Sequence, residues 1–394
     1  MINRNILYKL SRSIVPMLCI TPSIGMCYAF SLISKPMLDI FGCSLIAMQF
    51  AFCLNIMCLG FGSAIFGKLV EYKIKTAAWL STVLFSCGLL MSGLSLTLGN
   101  LPMLYVGFGI LCGVGEGIGY VTPVLNNLLW FGKNKHKGLV AAMSIICFGL
   151  GASICSLLFG WLNPTLGIEK FVYGLSCLYF IVMSTGAFMI SKPRWAMLKN
   201  KSPKTRKKFN YRAFISDGYS FKTWTYMLLN ISSGLVLIGL CAPLMKLSGF
   251  NEVAITLTCT VCGAFNGGGR LVFPFLSDFM KRRSDILKYI VILEILCVVS
   301  SALFPIMLPI SLVIINATYG SFFALLPAIL SDHYGNDCLS IRHSAILSAW
   351  GMSSLVAFLI TMGICAFNGL NLIWVLGVVA VVYVLNLMVV WKIK

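Results

Sequence analysis

Arg270 stands in the segment NGGGRLVFPFLSD, inside a long apolar run and eight positions before Asp278. At 1.5 Å per helical residue it lies about 12 Å inside the end of the helix that Asp278 closes. An unpaired guanidinium at that depth in hydrocarbon costs several kcal/mol, so it must face a protein acid such as Glu116 or Glu294, or an anion arriving from outside. Its planar five-donor fork suits a carboxylate. Glu116, in GVGEGIGY, poses the converse problem: a carboxylate in an apolar run is costly when ionised and much less so when protonated. Three roles are open to it: a proton carrier, a partner for Arg270 when no anion is bound, or a protonated structural group between glycine-packed helices.

The elements that hold these residues are membrane spans. Of the 394 residues, 59% are hydrophobic and 10% charged, and the mean hydropathy is +0.93, outside the range of soluble domains. The apolar runs are continuous, which is expected of helices rather than of barrel strands with alternating residues. They fall near 12–34, 44–70, 76–98, 101–129, 138–161, 169–191, 220–247, 252–279, 286–308, 309–331, 342–366 and 370–391. The first lacks a small-residue cleavage site and reads as a span, not a signal peptide.

The net charge of +19 is a topology signal. With the N-terminus inside, about 26 of the 30 Lys and Arg are cytoplasmic, and Lys35, Lys170 and Lys246 lie outside. Both termini are expected in the cytoplasm of a cell (plasma or inner) membrane. Nucleic acid is not expected as a partner, because the basic loops lack interleaved aromatic platforms. Sixteen scattered cysteines form no CxxC pair, and His136, His333 and His343 lie in or beside predicted loops. No metal is expected. GVGEGIG has no preceding strand and lies in an apolar run, so it is not read as a nucleotide loop; no cofactor is expected. The glycines at 113, 115, 117, 119 and 267 to 269 are read as close helix contacts.

Residues 192–219 form the longest polar break and contain KPRWAMLKNKSPKTRKKFNYR. They read as a basic linker near anionic headgroups, between a half at 1–191 and a half at 220–394. GSAIFGKLVEYKIK from Gly62 resembles GRLVFPFLSDFMKR from Gly269 at an offset of about 207 residues. Pro123 answers Pro327, and Phe148-Gly149 answers Trp350-Gly351. The counterpart of Arg270 is Ser63, so one half alone supplies the charge.

Two parallel six-helix halves joined by a basic connector resemble the major facilitator transporters, as do the acid-then-basic loops Glu71 with Lys73 and Lys75, and Asp278 with Lys281, Arg282 and Arg283. Within that superfamily, YAFSLISKPM, GIGYVTPVLNNLLWF, KGLVAAMSIICFGLGAS and NGGGRLVFPFLSD are similar to the oxalate/formate antiporter family, neighbours of the monocarboxylate transporters. The resemblance implies an all-α integral membrane protein of twelve transmembrane helices in two pseudo-symmetric six-helix halves, the major facilitator fold, with substrate bound between them. It implies that Arg270 binds a substrate carboxylate, that Tyr28, Tyr120 and Trp350 line the pocket, and that Lys35 matches a family lysine, either as a gate or as a snorkelling anchor. The chain departs from the pattern at Trp350, where carriers of the oxalate dianion are expected to have a lysine. Asn266 occupies the place where monocarboxylate transporters keep an aspartate, and Glu116 has no family support.

The expected function is secondary transport of a small organic anion by alternating access, as antiport or as proton symport. With one fixed cation, charge balance favours a monocarboxylate of the pyruvate, lactate or formate class over oxalate or another dicarboxylate. A receptor or an exporter built on the same fold is the rival. An enzyme is not expected, since no nucleophile–base pair or metal-binding acid cluster is present.

Overall fold

The computed structural model describes residues 4–131, 137–193, 216–334 and 339–393. Most of the linker, and His136, lie outside the described residues. Every described secondary-structure element is helical. We name them α1 (Arg4–Ile24, continued by Gly25–Ala29 and Phe30–Phe41), α2 (Leu45–Ile65) and α3 (Ile74–Leu98). Next come α4 (Leu101–Leu104, Tyr105–Cys112 and Gly113–Phe131), then α5 and α6 within Lys137–Met189. The rest are α7 (Gly218–Gly239 with Cys241–Leu247), α8 (Glu252–Ser277), α9 (Ile286–Leu303), α10 (Leu308–Tyr334), α11 (Leu339–Asn368) and α12 (Leu372–Trp391).

Nine helices among the described residues are long and apolar enough to cross a membrane, or ten if the bent α7 is one span. Two features separate that count from the twelve expected runs. α5 and α6 are continuous in hydrogen bonding but break at Gly167, where φ is 74°. α8, at 26 residues, has the length but carries Arg270 among small and polar groups. The large exposed side chains are overwhelmingly apolar, among them Leu90, Leu157, Ile181, Leu296, Val381 and Met388. Such a continuous apolar exterior is what lipid requires.

At the end of the bundle away from the linker, the turns share one chemistry. Gly42, Gly99, Gly249 and Gly369 have positive φ, and each is followed within two residues by a side chain that caps the next helix. Ser44, Asn100, Asn251 and Asn371 accept from Ala47 N, Met103 N, Ala254 N and Ile373 N at 3.2, 3.0, 2.8 and 3.0 Å. Glycine ends one helix and the short polar side chain starts its successor. On the linker side Asp217 caps α7 by accepting from Tyr219 N at 3.2 Å.

Close backbone approach builds the interior. A methyl on Gly149 would collide with the Gly267 backbone, and one on Gly60 with the Gly351 backbone. These contacts seat α5 on α8 and α2 on α11. Gly113, Gly115, Gly117 and Gly119 likewise face neighbouring chain atoms, as Gly267 and Gly269 do. Gly268 differs from the expectation: nothing lies within 4 Å of where its Cβ would be, because it points off the face that packs. The described cysteines are free.

Candidate functional site

α1 loosens into a 3-10 turn at Gly25–Ala29, and this break presents Tyr28 to the centre of the bundle. Tyr120 comes from α4, Phe148 from α5, Tyr319 and Phe323 from α10, and Trp350 from α11. The six rings form one cage. Tyr28 meets Phe148 at 5.5 Å and Tyr319 at 5.6 Å between centroids, Tyr120 meets Phe148 at 5.2 Å and Trp350 at 5.4 Å, and Phe323 meets Trp350 at 4.5 Å. The Tyr28 and Tyr319 hydroxyls are 2.9 Å apart, and Trp350 Nε1 donates to the Tyr319 oxygen at 3.2 Å.

Arg270 fills this cage with 0% exposure. Its guanidinium carbon is 5.3 Å from the centroids of both Phe148 and Phe323, so cation–π attraction offsets part of its desolvation. Two donors are used: one terminal nitrogen reaches Ile145 O at 2.8 Å and the other reaches Asn266 Oδ1 at 3.0 Å. Tyr120 lies within hydrogen-bonding reach of the same group. Nε has no partner, and a Cβ on Gly320 would lie only 3.2 Å from it, so glycine there makes room for the side chain. Among the described residues no carboxylate forms an ion pair with Arg270. Neutral dipoles and rings hold a full positive charge at the seam between α1–α6 and α7–α12.

The expected pairing of Arg270 with Glu116 is therefore not what the structure has. Glu116 is fully buried, and its Oε1 accepts from Asn55 Nδ2 at 3.2 Å while Oε2 has no partner. It looks into the first half, toward α2, with Cys27 beside it. A π-helical stretch at Tyr105–Cys112 precedes it in α4, a register change of the kind found at functional positions. Glu294 is no partner for Arg270 either; it accepts from Asn230 Nδ2 at 2.7 Å within the second half. Asn266, an amide in the place expected for an aspartate, accepts from the guanidinium without neutralising it.

The remaining predicted residues lie apart from the cage. Lys35 forms an ion pair with Glu252, from the far end of α1 to the start of α8, so it is tied across the seam rather than snorkelling freely. Asp278 pairs with Arg283, which also holds Asp332 at 2.9 Å. The backbone carbonyls of Glu71 and Tyr72 accept from Lys192 at 2.8 and 2.9 Å, fixing the α2–α3 loop to the start of the linker. A linker-side cleft of about 310 Å³ is lined by Tyr219, Lys281, Arg283, Asp332 and His333; it shares no residue with the cage, and its wall is largely charge-compensated by the Arg283 pairs.

Tyr319 and Phe323 were not singled out by their sequence context, and Phe148 entered only as a repeat match. A helix that is apolar all round carries no periodicity to mark which aromatic turns inward. The one available signal was Gly320 beside Tyr319.

A bundle of long helices with an apolar exterior, and a buried, ring-caged guanidinium with no acid partner among the described residues, is the frame of a polytopic membrane protein. The family profile described as Major Facilitator Superfamily matches residues 17–357, and the chain belongs to that superfamily. It is 25% identical over 344 residues to the uncharacterized MFS-type transporter YhjX of Escherichia coli (strain K12), covering 84% of this chain and 83% of that one. It is 26% identical over 320 residues to the oxalate:formate antiporter of Oxalobacter formigenes, covering 79% and 74%. Among solved structures it superposes on a point mutant of the nucleoside transporter NupG with a TM-score of 0.72, at 11% identity and covering 98% of this chain and 99% of that one. A bacterial homologue of the iron transporter ferroportin in the outward-facing state gives 0.66, at 14% identity and 98% coverage of both. These two likenesses establish the fold alone.

Proposed function

We propose that this transporter moves a small organic anion, a monocarboxylate of the pyruvate, lactate or formate class, by alternating access. The observation that carries the reading is Arg270: fully buried, at the seam, with a free Nε and no acid partner among the described residues. A carboxylate arriving there gains charge-assisted hydrogen bonds in a site shielded from water. The cage rings then pack on its apolar remainder, and the Tyr28, Tyr120 and Tyr319 hydroxyls compete for its oxygens.

The halves 1–191 and 220–394 rock about this centre, joined by 192–219 on the cytoplasmic side. Among the described residues, the hydrogen bonds and ion pairs across the seam include Arg270 to Ile145, Tyr28 to Tyr319, Ser153 to Thr260, Gln49 to Gly239 and Lys35 to Glu252. All lie at the level of Arg270 or farther from the linker. This distribution fits a state closed on the far side, from which opening on the linker side releases the anion. Exchange for a second anion, or symport with a proton on a buried acid such as Glu116, completes the cycle.

The name of the Oxalobacter formigenes relative favours a second reading, exchange of oxalate. Charge weighs against it: Trp350 stands where a second cation is expected, and Lys35 is already paired with Glu252. The test is uptake of labelled pyruvate, formate and oxalate into proteoliposomes by wild type and Arg270→Gln. Saturable monoanion uptake lost in the variant supports the reading. Uptake of oxalate alone moves the assignment to the dianion, and no anion uptake by folded wild type discards both.

A further inference from the structure

Inside the second half, away from Arg270, four helices turn polar groups toward one buried acid. Glu294 of α9 is 1% exposed, and around it Asn230 of α7 is 1% exposed and Tyr226 of α7, Thr318 of α10 and Tyr383 of α12 are 0% exposed. Asn230 Nδ2 donates to Glu294 Oε2 at 2.7 Å, and the Thr318 hydroxyl is within hydrogen-bonding reach. Four polar atoms of the group have no partner: Glu294 Oε1, Asn230 Oδ1, and the hydroxyls of Tyr226 and Tyr383. The titratable groups near the carboxyl are Tyr226, Tyr383 and Cys297, and among the described residues no Lys, Arg or His pairs with it.

An ionised carboxylate so placed lacks a counter-charge, and such a group takes up a proton instead. Its surroundings are also rich in hydroxyls that can donate or accept. The polar group reaches the anion site through consecutive residues of α10. Thr318 touches Glu294, and Tyr319 beside it bonds to Tyr28 and Trp350 in the cage around Arg270. An empty seam leaves the charge of Arg270 uncompensated, which favours the carboxylate form of acids within its field. A seated anion cancels that charge and favours the acid form.

We propose that Glu294 is a proton-binding site of this transporter, distinct from the anion site, which takes up a proton as an anion seats on Arg270 and gives it up as the anion leaves. The inference rests on the anion reading of Arg270 and extends it to one proton per monoanion. Protonation converts the carboxylate to the neutral acid, and water on the open side supplies and receives the proton.

The experiment uses proteoliposomes of the full chain with labelled pyruvate and, in a parallel series, oxalate. Two quantities are read: counterflow at equal pH, and anion uptake under an inward proton gradient with a trapped pH dye. Wild type is expected to acidify the lumen as the anion enters. Glu294→Gln is expected to keep counterflow within about twofold while the gradient response and dye signal fall about fivefold or more, with Glu294→Asp restoring both. Counterflow without any dye signal in wild type overturns the proton site and leaves the anion reading intact. Absence of counterflow in wild type sinks the anion reading and this inference with it. A wild-type dye signal in Glu294→Gln, or loss of counterflow in a Glu294→Gln protein that elutes as a single folded species, also overturns the proposal.

Discussion

Arg270 shows how far one residue can be read from its neighbours. Its depth followed from counting back to Asp278, and its need for a counter-charge followed from the cost of burying a cation. What spacing could not supply was the identity of its neighbours, since Phe148, Tyr319 and Phe323 come from two other helices. Its two hydrogen bonds reach neutral oxygens and none of its other three donors faces an acid among the described residues, which separates charge from shape in a test. Arg270→Lys keeps the charge but loses the fork and the stacking on two rings. We expect anion uptake to fall about tenfold or more, equivalent to about 1.4 kcal/mol, through a raised half-saturation concentration, whereas Arg270→Gln abolishes it. Equal activity in Arg270→Lys, measured by initial rates of labelled uptake, would show that point charge alone suffices.

At the scale of the element, the helix ends are written in short turn and cap signals that the apolar runs alone pass over. The pairs Gly99-Asn100, Gly249 with Asn251 and Gly369 with Asn371 place helix ends within a residue, because only short-range chemistry is involved. The breaks within α1 and α7 and the π turn in α4 were not legible, since they depend on what the helix meets: Gly25 on Phe148 and Gly151, for example. The α5–α8 crossing gives a direct test. Gly149→Leu forces α5 off the Gly267 backbone and displaces Ile145 O from Arg270, so transport should be lost while the folded protein is still recovered from detergent. Transport at wild-type rates would remove the crossing from the mechanism.

The cap of α7 gives a second prediction at this scale. Partial burial alone would raise the Asp217 carboxyl, but hydrogen bonds from Tyr334, Arg342, Ser220 and Tyr219 N outweigh it and hold it below the usual carboxylate range. The Arg342 bond measures 2.6 Å. A carboxyl depressed in the folded state contributes stability above its unfolded value, near 3.9, and loses it as pH falls through the lower folded value. Asp217→Asn should therefore cost about 1 kcal/mol at neutral pH. In thermal melts the gap to wild type should close toward pH 3 or below; a gap independent of pH would mean that the cap acts without its charge.

On the proposed mechanism the whole molecule balances two closures, and its cross-seam polar contacts lie on one side of that balance. Lys35 and Glu252 tie the far ends of α1 and α8, but their side chains are 32% and 66% exposed. An exposed pair contributes about 0.2–1 kcal/mol, which limits its leverage on the conformational equilibrium to a factor of about five. The pair therefore biases closure without locking it, while the ring cage and the glycine crossings supply the fit. We expect Lys35→Glu to slow exchange by no more than about fivefold, and the swap Lys35→Glu with Glu252→Lys to recover most of that loss. The effect should shrink as salt rises, because exposed charges are screened. A complete loss of exchange in the single variant that the swap does not rescue would instead place Lys35 on the path of the anion, with its contact to Glu252 only one of two stations.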